Sequence, residues 1–477
     1  MGRGVQRAAA RAAALALALA LAGAPARAGP LPPGWAAGGA AAAAEAEAGG
    51  AGGGAPRART VALPLDYSGA PGANVTFFSN RFWVDESHYS FDGPLFVYMG
   101  GEGPASGRGA PWVLELARRH GALVLALEHR FYGESLPTGG LSLENLKHLT
   151  ADNALEDAAR IVTLVQDEHR VGMGGRRPPT VAFGGSYSGA LSAWFRMAYP
   201  ELVDGALSSS GVVNARLDFP QFDTHIAEVL PADCLAALRA ATAALDAQPA
   251  AGKALFGLPA DMLDADFQYM YADSAAMAVQ YGSKDALCKA MVAGSDEPEK
   301  ALADFTALHW GRDFAGGCFY STSCLRLGPA KQWQPTARSW RWQKCTQMAY
   351  LQRAPAKGAV RSKHLDLKVL ELQCMQVFGP ATVPNTSHIN SRFGGARPYD
   401  TSNIFFTNFK DDPWVEAGVA NAREASDHTC FADCDGCGHC QDLHAPSAND
   451  PEELQQCREK FAETIAGWLP PIPATAA

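Results

Sequence analysis

A serine set among small residues, in Gly184-Gly185-Ser186-Tyr187-Ser188-Gly189, is the stretch of this 477-residue chain whose residue types are best suited to chemistry. Two prolines at 178 and 179 precede a short β-branched and apolar run, and Ala190-Leu191-Ser192-Ala193-Trp194-Phe195 after it has helical character. Strand, sharp turn and helix in that order lift a serine hydroxyl out of a sheet and aim a helix N-terminus at it. The strict G-x-S-x-G spacing is broken, because Ser188 stands where that pattern has glycine. A serine hydroxyl attacks an acyl carbon at useful rates only when a neutral imidazole takes its proton and a buried carboxylate holds that imidazole in the right tautomer. Asp412 and His439 can fill these roles. Asp412 is preferred to its neighbour Asp411 because Pro413 and Trp414 fix the local backbone and wall the site. Among twelve histidines, including His388, His428 and His444, position in the last loop favours His439.

Three other clusters invite chemistry. The glycines of Gly100-Gly101-Glu102-Gly103-Pro104 follow an apolar run and can turn backbone N–H groups into a cleft, as an oxyanion hole requires. Cysteines 430, 434, 437 and 440 beside a histidine have the spacing of a tetrahedral zinc site. A secretory leader weighs against zinc, since clustered cysteines in an oxidising compartment form disulfides; no metal and no cofactor are expected. Glu128 and Arg130, in Glu128-His129-Arg130-Phe131-Tyr132-Gly133-Glu134-Ser135, read as a structural ion pair, and His129 as structural.

The elements that must position these residues follow from hydrophobic period. Residues 63–84 alternate as an antiparallel start to a sheet, while 94–99 and 122–127 are continuous apolar runs of the kind that strands buried on both faces need. Helices at 111–120 and 152–166, and strands through the serine and at 205–210, give the strand and helix alternation of a mostly parallel, doubly wound sheet. Residues 216–385 carry helical periodicity with few strand signals, at 234–246, 261–280, 284–292 and 298–308, and read as an inserted lid or specificity domain. The sheet resumes with a strand at 401–408 and ends in a helix at 451–468. The parts of the sheet domain are thus 60–215 and 386–477.

Arginines at 3, 7 and 11, an Ala/Leu core and Ala26-Arg27-Ala28 mark residues 1–28 as a secretory signal peptide, too short in its apolar core for a membrane span. A transit peptide is the rival reading. Residues 29–59, almost all Ala, Gly and Pro, read as a linker or propeptide. A net charge of -9 argues against nucleic acid or an anionic membrane as partner. Asn74 and Asn385 head glycosylation sequons. An extracellular or lysosomal/vacuolar location and peptide substrates are expected, with a homodimer as the assembly to test.

The order serine, then acid, then histidine is that of α/β-hydrolases, which sets the fold class: an α/β-hydrolase fold with an inserted helical cap domain. The runs around Ser186, Ala193-Trp194-Phe195-Arg196-Met197-Ala198-Tyr199-Pro200, Leu127 to Ser135, Gly101-Glu102-Gly103, Asp412-Pro413-Trp414 and Trp340-Arg341-Trp342-Gln343-Lys344-Cys345-Thr346-Gln347 resemble the serine peptidase family of lysosomal prolyl carboxypeptidase, dipeptidyl peptidase II and thymus-specific serine protease. The similarity spans nearly all of residues 63–469. It implies exopeptidase activity at bonds following proline, with Ser186, Asp412 and His439 as the catalytic residues, oxyanion donors at the backbone N–H of Tyr187 and in the Gly100-Gly101 loop, and a substrate pocket lined by Trp414 and Met348. Family members usually carry Glu where this chain has Gln347, and some are bulkier at Ala190. Carboxypeptidase and dipeptidyl-peptidase action both stay open, and an esterase or a catalytically silent binding protein are the other classes.

Overall fold

The computed structural model describes residues 56–68, 75–170, 175–311, 313–326 and 335–469. The expected leader, most of the linker and Asn74 lie outside these residues. Ala58 and Arg59, within the stretch read as linker, already belong to the first strand.

Among the described residues ten strands run in chain order: β1 (Ala58–Pro64), β2 (Phe77–Asp85), β3 (Leu95–Tyr98), β4 (Leu123–Leu127), β5 (Thr180–Gly185), β6 (Gly205–Ser209), β7 (Arg216–Asp218), β8 (Ala349–Leu351), β9 (Ile404–Phe409) and β10 (His428–Ala432). Eight form one sheet in the order β1-β2-β4-β3-β5-β6-β9-β10. The β1–β2 and β2–β4 pairs are antiparallel and every other neighbouring pair is parallel. The central strands are apolar on both faces because both faces are covered: β4 (LVLAL) and β6 (GALSS) are buried at every position. One face packs on the helices Pro111–His120 and Glu452–Trp468 through Phe96, Phe183, Phe405 and Phe461. The other packs on the helices Ala151–His169 and Ser186–Ala198, and its apolar core runs without a break into the insertion.

The insertion is helical, as its periodicity implies, with helices at Ala232–Ala247, Asp264–Gln280, Lys284–Ala293 and Pro298–Phe305. The expected helix at 298–308 changes pitch: its last turn, Thr306–Trp310, is π-helical. A short parallel pair, β7 with β8, joins the start of the insertion to its far end, a contact that local pattern does not announce. Five disulfides staple the chain: Cys234–Cys288, Cys318–Cys324, Cys345–Cys374, Cys430–Cys457 and Cys434–Cys437. Three of the four cysteines weighed as zinc ligands are therefore disulfide-bonded, and Cys440 is a free thiol.

The expected Glu128–Arg130 pair does not form. Glu128 binds Arg81 and accepts from Ser135 and from the backbone N–H of Ala105, while Arg130 forms a two-point ion pair with Asp157 and bonds the carbonyls of Pro64, Leu65 and His148. Both lie in the loop after β4, where strand alternation has ended, and each side chain is satisfied by separate partners. Both remain structural, and Glu128 holds the loop that follows β3.

Candidate active site

Ser186 begins the helix Ser186–Ala198 directly after β5, with its backbone in the left-handed region at φ 58°. A non-glycine residue held there is strained, and such turns are kept where the surroundings over-determine them. Here they do. A Cβ at Gly184 would fall 2.0 Å from the carbonyl oxygen of Ser188, so only glycine fits. Ser188, the departure from the expected pattern, caps the turn: its hydroxyl donates to the Gly185 carbonyl at 2.8 Å and accepts from the Gly185 N–H at 3.0 Å. It also packs beneath Gly101.

His439 and Asp412 come from the loops after β10 and β9. His439 Nδ1 lies 2.8 Å from Asp412 Oδ2, and both side chains are buried. Since the carboxylate can only accept, Nδ1 carries the proton, which leaves Nε2 as the acceptor of the neutral ring. Asp412 is aimed by the N–H of Trp414, which donates to its other oxygen at 3.0 Å. Asp411 is committed elsewhere: Lys284 of the insertion and the N–H of Gly436 bind it. His439 Nε2 is buried and has no hydrogen-bond partner among the described residues. Burial disfavours the charged ring, but the Asp412 carboxylate and the Cys440 thiol outweigh it and hold His439 well above the ordinary histidine range.

Ser186 and His439 line one cavity of about 100 Å³, whose other wall is the loop after β3, from Gly100 to Arg108. Gly101 belongs to that wall. The Tyr187 side chain points the other way, into a directed chain of hydrogen bonds. Tyr132 donates to Gln343, Gln343 Nε2 donates to Tyr187 Oη at 2.7 Å, and Tyr187 donates to His129 Nε2 at 3.1 Å. The His129 Nδ1 proton goes to the Arg130 carbonyl. Burial pushes His129 down to about 4, so it stays neutral and structural.

Trp414 lies beside His439, ring centroids 6.3 Å apart and outside the cavity lining, in a cluster with Phe219, Phe222 and Tyr350. Met348, expected beside it, is fully buried in the π-turn Lys344–Met348, and neither it nor Trp414 is among the cavity-lining residues. Gln347 accepts from the N–H of Ala151 at the start of the helix Ala151–His169. Asn385 is exposed. The rival histidines are spread out: His388 pairs with Asp152, His428 packs on Phe405 at the sheet edge, and His444 lines the same cavity as His439.

Two positioning residues gave no sequence signal. Gln280, at the end of the helix Asp264–Gln280, accepts the backbone N–H of His439 at 2.7 Å and, through its side chain, the indole N–H of Trp414 at 3.0 Å. A Cβ at Gly438 would sit 2.4 Å from that same Gln280 carbonyl, which explains the glycine before the histidine. Asp442 accepts from Ser209 and, at 2.6 Å, from Thr407, tying the histidine loop to the ends of β6 and β9.

A mostly parallel sheet with a serine turn after β5 and a helical insertion between β6 and β9 defines an α/β-hydrolase. The family model described as Serine carboxypeptidase S28 matches residues 71–461, and the chain belongs to that family. It is a serine peptidase. The chain is 34% identical over 426 residues to "Probable serine protease EDA2" of Arabidopsis thaliana, covering 82% of this chain and 85% of that one. It is 28% identical to the thymus-specific serine protease of Mus musculus (87% and 88% covered) and 25% identical to the lysosomal Pro-X carboxypeptidase of Bos taurus (82% and 84%). No helix among the described residues is long and apolar enough to cross a membrane.

Proposed function

We propose that the protein is an exopeptidase that cleaves peptides after proline by an acyl-enzyme route. The observation that carries this reading is the buried His439–Asp412 pair, whose Nε2 has no partner among the described residues and whose histidine lines the same cavity as Ser186. Ser186 attacks the acyl carbon as His439 Nε2 takes its proton, and the oxyanion is held by the N–H of Tyr187 and one from the Gly100-Gly101 turn. His439 then donates that proton to the leaving amine, and water repeats the cycle on the ester. Asp412 keeps the ring's tautomer. Proline preference fits the rigid aromatic wall around Trp414 and the similarity to the lysosomal Pro-X carboxypeptidase. A secretory route, with Asn385 glycosylated, fits the five disulfides and the lysosomal location in that name.

The test is labelling by a fluorophosphonate probe at Ser186, followed by sequencing the products from a mixed peptide library. Release of terminal residues after proline supports the reading, and products of internal cleavage alone overturn it.

A further inference from the structure

We infer that the loop after β3 is the subsite for the last residue of the substrate, with Arg108 and Glu102 together receiving its terminal carboxylate. This rests on the exopeptidase reading and selects carboxypeptidase action within it.

The two sides of the Ser186–His439 axis are chemically unlike. Trp414 and its aromatic neighbours lie on one side and take the acyl half, which ends in proline. The cavity on the other side excludes them and is walled by the polar loop, which leaves it for the departing residue. At about 100 Å³ it falls below the usual range of roughly 300–1,000 Å³ for drug-sized ligands, so one residue fits better than a continuing chain.

Arg108 is the only lysine or arginine lining this cavity and makes no ion pair among the described residues. Glu102 lines the same wall, is buried, and has no cationic side-chain partner among the described residues. An ionised carboxylate buried without a partner is costly, and the group protonates instead. Burial pushes Glu102 up to about 7, against the opposing pull of its own backbone N–H and of His439. The phenols that face it, Tyr98 of β3 and Tyr281 beyond the insertion helix, are pushed up by burial and stay neutral. So do Tyr132, Tyr187 and Tyr350, which feel its charge. Cys440, His444, His439 and Arg108 complete the groups on the cavity wall. A protonated Glu102 donates a hydrogen bond to a carboxylate that Arg108 attracts. An α-ammonium, by contrast, would face the guanidinium.

The experiment measures kcat/KM of the full-length protein for an N-blocked Pro-Phe peptide as free acid and as amide, from about pH 5 to about pH 8.5 across the Glu102 transition. The ratio of the two cancels the ionisation of His439, which both substrates share. We expect a ratio of about tenfold or more in favour of the free acid at the acid end, the size of one charged hydrogen bond. It falls as pH rises through about 7, where Glu102 becomes an anion. Arg108→Ala lowers the ratio about tenfold through KM. Glu102→Gln, a neutral donor at every pH, removes the fall. Should Arg108→Ala fail to fold, the wild-type ratio and Glu102→Gln decide. A ratio near one throughout, or release of dipeptides that requires a free N-terminus, overturns the inference while fluorophosphonate labelling at Ser186 still upholds the peptidase reading. Loss of both labelling and hydrolysis removes the reading and the inference together.

Discussion

The two walls that meet at Ser186 are built to opposite rules. On the histidine side nearly every polar group but one is spoken for: Asp412 by Trp414 and His439, the His439 backbone by Gln280, the loop by Asp442. The remaining group is Nε2. On the side of the loop after β3, Glu102 and Arg108 line the cavity without an ion pair among the described residues. Fixed hydrogen bonds suit a group that must hold one tautomer and one angle, whereas unpaired charge suits a group that waits for a ligand.

Substitutions on the first wall should therefore remove chemistry, and those on the second should alter selection. Ser186→Ala should abolish fluorophosphonate labelling and lower kcat on the order of a millionfold, with the melting temperature nearly unchanged. Asp412→Asn should leave the fold intact and lower kcat about ten-thousandfold in steady-state assays, because the ring loses the acceptor that fixes its tautomer. Gln280→Ala keeps the backbone acceptor for His439 but frees the Trp414 indole. It should raise KM for proline peptides about fivefold, the equivalent of roughly 1 kcal/mol, with less effect on kcat.

Stability against pH separates the walls again. The folded state raises His439, so its pairing with Asp412 contributes fully below the unfolded value of about 6.5 and is lost as pH rises through the higher folded value. Asp412→Asn should thus lower the melting temperature more at about pH 5.5 than at about pH 9. Glu102 is also raised, but by burial, so its ionised form is disfavoured by folding. The penalty is absent at acid pH, grows as pH climbs from the unfolded value and is complete above about 7. Glu102→Gln should raise the melting temperature at about pH 8 and change it little at about pH 4.5. An equal effect at both would assign Glu102 a packing role.

Much of this could be read from the chain because local pattern carries it. β3 and β4 sit in uninterrupted apolar runs, the helix Pro111–His120 has a proline at its start and a left-handed glycine at its end, and the serine turn is written in its small residues. Legibility stops where partners are remote. Glu128 found Arg81 and Arg130 found Asp157, although adjacency suggested they would find each other. Gln280 and Gln343 reach across more than a hundred residues, and no local pattern announces the partner of either. The helix Asp264–Gln280 is buried from Asp266 to Gln280, so it has no polar stripe from which to infer its orientation. Met348 lies fully buried inside a π-turn, a pitch change that its sequence does not announce.

The Gln280 carbonyl that receives the His439 amide ties the insertion to the histidine loop. A cap that swung away as a rigid flap would carry off that hold on the histidine loop. Loosening the roof would then silence the enzyme well before the sheet beneath it melts.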